Sequence, residues 1–212
     1  FDFNNDGCDA SDSNNHQIRI DINDGSSEGA TYTSFNGNYT LFTQAGNFNL
    51  APNIENPSWF NINPPTTTVE FANDNNNSAT RDFCITANGI HPDVEIVITP
   101  YSPARPGYEA FYRIYIKNKG NTLLSGEVTL NFDNSKCNFI TATPNISFQN
   151  LNSVIWQYSN LMPFDTRGYL FSMNINATTD TSPVNIGDVL PFDVSILPLV
   201  GDETPADNSM HY

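Results

Sequence analysis

The longest alternating run in the chain, residues 108–117, constrains the fold more than any other feature. Ala110, Tyr112, Ile114 and Ile116 point to one side, and Phe111, Arg113, Tyr115 and Lys117 to the other. A period of two belongs to a half-buried strand, and the first set reads as its core face. Elsewhere apolar residues come in runs of about five, too short for a helix of ordinary length. Helix formers such as Leu, Lys, Ala and Glu are scarce, while Asn, Thr, Pro, Gly and aromatics are plentiful. The fold class is therefore all-β. A length of 212 residues leaves room for two sandwiches in tandem, each with its own core. The breaker cluster at residues 86–93 sets the expected boundary, giving modules at residues 1–87 and 88–212.

In the first module the pattern predicts strands near residues 16–22, 29–34, 38–43, 46–50, 67–72 and 80–86. Asn36-Gly37 ahead of Tyr39-Thr40-Leu41-Phe42 is its clearest hairpin signal. In the second, strands are expected at 94–99, 108–117, 126–132, 138–143, 154–158, 168–176 and 189–198, with Val128, Leu130 and Phe132 inward. Seven short strands in such a length suggest an immunoglobulin-like sandwich.

The acidic residues number 23 against 8 basic ones, for a net charge of −15. They are spread over both halves, which disfavours nucleic acid and anionic membranes as partners. No run approaches the length of a membrane span, and the chain opens on Phe1 in the manner of an excerpt or a processed product.

Residues 2–12 carry the densest oxygen chemistry. Asp2, Asn4 and Asp6 fall at every second position, Gly7 allows a sharp turn, and Asp9 and Asp12 follow. A loop that presents several carboxylates and amides, with one backbone carbonyl such as that of Cys8, is how a protein wraps Ca²⁺. The opening D-x-N-x-D-G matches the familiar calcium-loop pattern, with the closing acid Asp12 one residue early. The following residues alternate, so the loop feeds a strand and not the helix of an EF-hand. A solvated Asx-rich turn is the alternative.

Three cysteines, Cys8, Cys84 and Cys137, lack the spacing of zinc or redox motifs. Cys8 and Cys84 lie near the two ends of the first module, where first and last strands of a sandwich meet, and a disulfide between them is expected. Its loop-closure entropy is worth roughly 4 kcal/mol. Two buried free thiols are the alternative. Cys137 is left as a small buried hydrophobe.

The order of a calcium-type loop, an outward strand, the turn Asn36-Gly37-Asn38-Tyr39, and a final strand marked by Pro65, Val69 and Phe71 resembles the prealbumin-like B-type repeats of Gram-positive surface adhesins. The resemblance implies calcium at Asp2, Asn4, Asp6 and Asp12. The Lys to Asn cross-link of some such modules is excluded, because residues 1–87 hold no Lys. The second half is similar to another group. Residues 104–108, Tyr112-Arg113-Ile114, residues 117–122, residues 126–130, Trp156 and residues 202–208 resemble modules of large secreted and cell-surface proteins of Bacteroidetes, many exported by the type IX secretion system. Such a module type does not fix an activity.

Other constellations are weaker. Gly25-Ser26-Ser27-Glu28-Gly29 matches the G-x-S-x-G of serine hydrolases but lacks the strand–turn–helix context. His16, His91 and His211 are isolated and read as surface residues, with no zinc-binding pair. A second cation site could use Asp202, Glu203 and Asp207, or Asp21 and Asp24. Trp59, Tyr101, Tyr108, Phe111, Tyr115 and Trp156 could form a sugar-stacking platform, although aromatics in sandwiches mainly fill cores and module contacts. Together these readings lead to the expectation of a non-catalytic extracellular segment. It is a calcium-rigidified spacer or adhesive element of a larger surface protein, partnered by neighbouring modules or by a glycan or other surface ligand. A carbohydrate-binding accessory module of a secreted enzyme, or a repeat of a surface filament, is the alternative.

Overall fold

The computed structural model describes residues 1–9, 12, 17–34 and 36–212. Among these there is no α-helix; strands and two short 3-10 turns account for the regular structure. The chain divides into two compact units, Phe1–His91 with Gly120–Thr122, and Pro92–Lys119 with Leu123–Tyr212. His16 lies outside the described residues.

The first unit contains β1 (Arg19–Asn23), β2 (Glu28–Tyr32), β3 (Gly46–Asn53), β4 (Phe60–Asn63), β5 (Thr67–Phe71) and β6 (Cys84–Ala87). An antiparallel sheet in the order β2-β1-β3-β5 is accompanied by the separate pair β4-β6. Alternation along β1, β3 and β5 buries Ile20, Phe48, Leu50 and Val69, and Ile18, Ile54, Phe60 and Ile85 complete the core. The β1–β2 hairpin is closed by Asp24, whose Oδ1 accepts the N–H groups of Ser26 and Ser27 at 2.8 and 2.6 Å. These bonds hold the Asp24 carboxyl below the usual carboxylate range. Gly25 to Gly29 is thus a hairpin loop running into β2, not a nucleophile elbow.

Two expectations fail here. Asn36-Gly37 does make a tight turn, with Ser34 N–H donating to the Asn38 carbonyl at 2.8 Å, but residues 38–43 form no strand. The Tyr39 hydroxyl donates to the Arg81 carbonyl at 2.7 Å and its ring packs on Phe83. That segment is fixed by a side chain and not by a ladder, and Phe42 is left 95% exposed. Conversely β4 lies within residues 57–65, a stretch that reads as a turn because prolines bracket it.

The second unit contains β7 (Val94–Pro100), β8 (Glu109–Asn118), β9 (Leu124–Phe132), β10 (Cys137–Thr143), β11 (Phe148–Gln149), β12 (Ser153–Leu161), β13 (Thr166–Ile175), β14 (Phe192–Ile196) and β15 (Ser209–His211). They form two sheets, β10-β13-β8-β7 and β11-β12-β9-β14-β15. Ala110, Tyr112, Ile114 and Ile116 of β8 and Val128, Leu130 and Phe132 of β9 are all buried in one core. Trp156, Phe171, Phe192 and Tyr112 form its aromatic centre, with ring centroids 4.8 to 6.4 Å apart along the chain of contacts. Cys137 is buried and unbridged, and burial pushes its thiol up to about 12.

The spatial order β7-β8-β13-β10 is that of strands A-B-E-D of an immunoglobulin sandwich, and β15-β14-β9-β12 is that of G-F-C-C′. The chain order differs, since β10 follows β9 directly and precedes β12. Gly126 of β9 is where backbones crowd: a Cβ there would stand 2.1 Å from the Leu197 carbonyl oxygen. Glycine lets that carbonyl come in to accept the Tyr158 hydroxyl.

Candidate functional site

Residues 2–9 and Asp12 are built onto the first unit through backbone and side chain together. Asp2 N–H donates to the Ile85 carbonyl at 2.9 Å, a parallel bridge beside β6, and Asp2 is only 3% exposed. Its carboxylate turns into the loop and accepts the N–H groups of Asn5 at 2.6 Å and Gly7 at 3.0 Å. Left-handed backbone at Asn5 and Gly7, φ +60° and +107°, lets the chain curl round that carboxylate. Asn4 Oδ1 accepts Asp6 N–H at 3.1 Å while its amide donates to Asp6 Oδ2 at 2.8 Å. Asp12 Oδ2 accepts the N–H of Asp9 at 2.7 Å.

The outcome is that Asp2, Asp6 and Asp12 each bring a carboxylate oxygen to within 4.8 Å of the others. At that separation, and with an effective dielectric of about 20, each pair of charges repels by on the order of 3 kcal/mol. A hard cation would relieve this repulsion and meet oxygen donors from all three carboxylates. Asp9 is not in the group; its backbone serves the loop through Asp12. Cys8 is joined to Cys84 by a disulfide that pins the middle of the loop to the first residue of β6. The grouping of Asp2 with these two cysteines therefore offers no thiolate to a soft metal.

A second acidic group lies in the other unit. Asp93, Asp202 and Asp207 also bring carboxylate oxygens within 4.8 Å of one another. Of the expected trio, Glu203 is absent, and Asp93, fully buried ahead of β7, takes its place. Asp202 accepts the N–H groups of Val94 and Thr204 at 3.0 and 2.9 Å, and Lys119 Nζ stands 2.9 Å from Asp207. This group carries its own counter-ion and ties down the start of β7. Asp93 is 109 positions from Asp202, so no spacing in the sequence signals it; the only hint is an acid directly before an apolar strand. Asp21 and Asp24 do not converge among the described residues: Asp21 pairs with Arg19 and Asn53.

The six aromatics of the supposed platform separate. Trp156 is 1% exposed and belongs to the core, with its ring N–H donated to the Pro144 carbonyl. Trp59 stacks on His91 in the first unit, so His91 is half-buried. Tyr101 and Tyr115 do share one outer face, with Arg113 between them.

Comparison with known proteins adds little. No protein-family model matches the sequence, and no curated protein is similar to it. Among solved structures, the full-length major pilin SpaD from Corynebacterium diphtheriae aligns over 96% of this chain and 61% of its own, at 12% identity and a TM-score of 0.34. The chain thus spans about 61% of that pilin's length. At such a score the two arrangements are too different for one to inform the other.

Proposed function

We propose that this chain is a non-catalytic segment of a larger extracellular surface protein, a prealbumin-like module followed by an immunoglobulin-like one, whose first module is stiffened by Ca²⁺. The observation that carries the proposal is the convergence of Asp2, Asp6 and Asp12 in a loop that a disulfide fastens to β6. The Cys8–Cys84 disulfide supports an extracellular setting, since such bonds persist mainly in oxidising compartments. The cation removes the repulsion among the three carboxylates and fixes the entry to the module, which then transmits orientation to a neighbouring module. The resemblance of second-module motifs to those of Bacteroidetes surface proteins supports export by the type IX system, the route many such proteins take.

Binding only to the folded form adds about 2.7 kcal/mol when free Ca²⁺ is a hundredfold above Kd. A thermal melt of the chain in EDTA and across a Ca²⁺ titration, with Asp6→Asn and Asp12→Asn in parallel, tests it. The melting temperature of the first unit should rise with Ca²⁺, and both substitutions should abolish the rise. No rise at millimolar Ca²⁺ leaves the loop as a hydrogen-bonded turn and sinks the cation proposal.

A further inference from the structure

The outer face of the β7-β8-β13 sheet carries a ladder that the core does not need. Tyr101 follows β7 and is held there by its N–H, which donates to the Phe111 carbonyl at 2.8 Å. The Arg113 guanidinium lies 4.8 Å from the centre of the Tyr101 ring and 5.7 Å from that of Tyr115. Arg113 also donates to the Tyr115 hydroxyl at 2.8 Å, one of the five N–H donors that a guanidinium carries. Directly across from Tyr115 on β13 is Gly168, where a Cβ would stand 3.4 Å from the edge of the Tyr115 ring. The missing side chain lets the tyrosine lie down across the neighbouring strand.

Gly168 is also the link to a cleft of about 420 Å³ between the end of β12 and the start of β13, lined by Pro144, Gln157, Ser159 and Arg167 among others. That volume is in the range of small-ligand pockets, about 300 to 1,000 Å³. Arg167 donates to the carbonyls of Ser159 and Asn160 and retains further N–H groups for a ligand. Gln157 spends its amide N–H on Glu127 and keeps its carbonyl. Gly168 is thus common to the cleft and to the floor beneath the edge of the Tyr115 ring.

We propose that this cleft and ladder bind an extended, electrically neutral oligosaccharide. A sugar chain presents apolar C–H faces to stack on the tyrosines and a rim of hydroxyls for Arg113, Arg167 and Gln157. Charge argues against an anionic chain: the protein carries a net −15, Glu127 is bonded to Gln157, and Asp165 stands 4.0 Å from Arg167. At β8 and β13, which carry Arg113, Tyr115 and Gly168, a peptide cannot add itself as a strand, because both are paired on each side. The inference names an adhesive target in the second unit and does not depend on the cation loop of the first.

Calorimetry of the full chain in EDTA, with cello-, xylo-, manno-, laminari- and maltohexaose and with hexagalacturonate as the charged control, tests it. At least one neutral hexasaccharide should bind, and Tyr101→Ala and Tyr115→Ala should each weaken it tenfold or more. Arg113→Lys, which keeps the charge and loses the planar stack, should weaken it several-fold. Circular dichroism melts confirm that these surface variants stay folded. Binding of hexagalacturonate alone, affinity that survives both tyrosine substitutions, or no binding at millimolar sugar overturns the proposal. Because EDTA is present throughout, a failed calcium titration leaves this result untouched.

Discussion

The two units solve the same problem with different means. Among the described residues the first buries eight apolar side chains, whereas the second buries 25 in one continuous core. The second needs no cross-link, and its cysteine is simply part of the packing. The first closes Cys8 to Cys84 across 76 positions, nearly its whole length. A sheet with so small a core has less burial to set against the entropy of ordering its chain, and a covalent closure that restricts the unfolded state adds to its stability. A cation held by Asp2, Asp6 and Asp12, as proposed above, would add a further constraint of the same kind.

The sharpest way to break this contrast is to remove the disulfide. For a loop of this length the entropy model gives about 4.5 kcal/mol, so Cys8→Ser with Cys84→Ser should speed hydrogen exchange across β1, β3 and β5 by orders of magnitude. Amides of β8 and β9 should keep their protection. Equal loss in both units would show that they do not unfold separately. Next in size is Phe171→Ala, which empties the centre of the aromatic cluster and should cost the second unit about 4 kcal/mol, read as a lower denaturant midpoint. An unchanged midpoint would mean that the large core is more than the unit requires.

The smallest effect is a titration. Burial raises Tyr112 and Tyr158 to about 12, above the unfolded value near 10. Folded-state pKa values above unfolded ones give stability that is whole below pH 10 and lost as pH rises through 12. By pH 11 each tyrosine should have withdrawn about 1.4 kcal/mol, seen as tyrosinate absorbance rising together with second-unit hydrogen exchange. Ionisation of Tyr112 and Tyr158 themselves near pH 10, read from their own ring resonances with β8 still protected, would show a core open to solvent.

How far the sequence reached follows from the same difference. In the second unit the alternating apolar run of β8 sets its face unambiguously, since sliding by one residue would expose Ile114 and Ile116. In the first unit, Tyr39-Thr40-Leu41-Phe42 has the composition of a strand but joins no ladder, and its Tyr39 hydroxyl bonds to the Arg81 carbonyl instead. Strand propensity is weak where few buried neighbours enforce it. The site divides likewise. Asp2, Asp6 and Asp12 are near neighbours in the chain, so their convergence is readable from spacing. Asp93 meets Asp202 through a loop that bonds to the start of β7, and Gly168 meets Tyr115 through strand pairing, both between distant segments that local pattern does not encode.

The disulfide also decides what happens when the chain is pulled from both ends. Tension entering at Phe1 passes through Cys8 to Cys84 and leaves toward His91, so β1 to β5 carry none of it. At about 3.4 Å per extended residue, the bypass withholds roughly 250 Å of contour that a reduced chain would pay out. Asp2 and Asp6 sit on the stretched segment and Asp12 inside the sheltered one, so the three carboxylates straddle the junction where the load is diverted. The least packed part of the molecule is in this respect the least extensible.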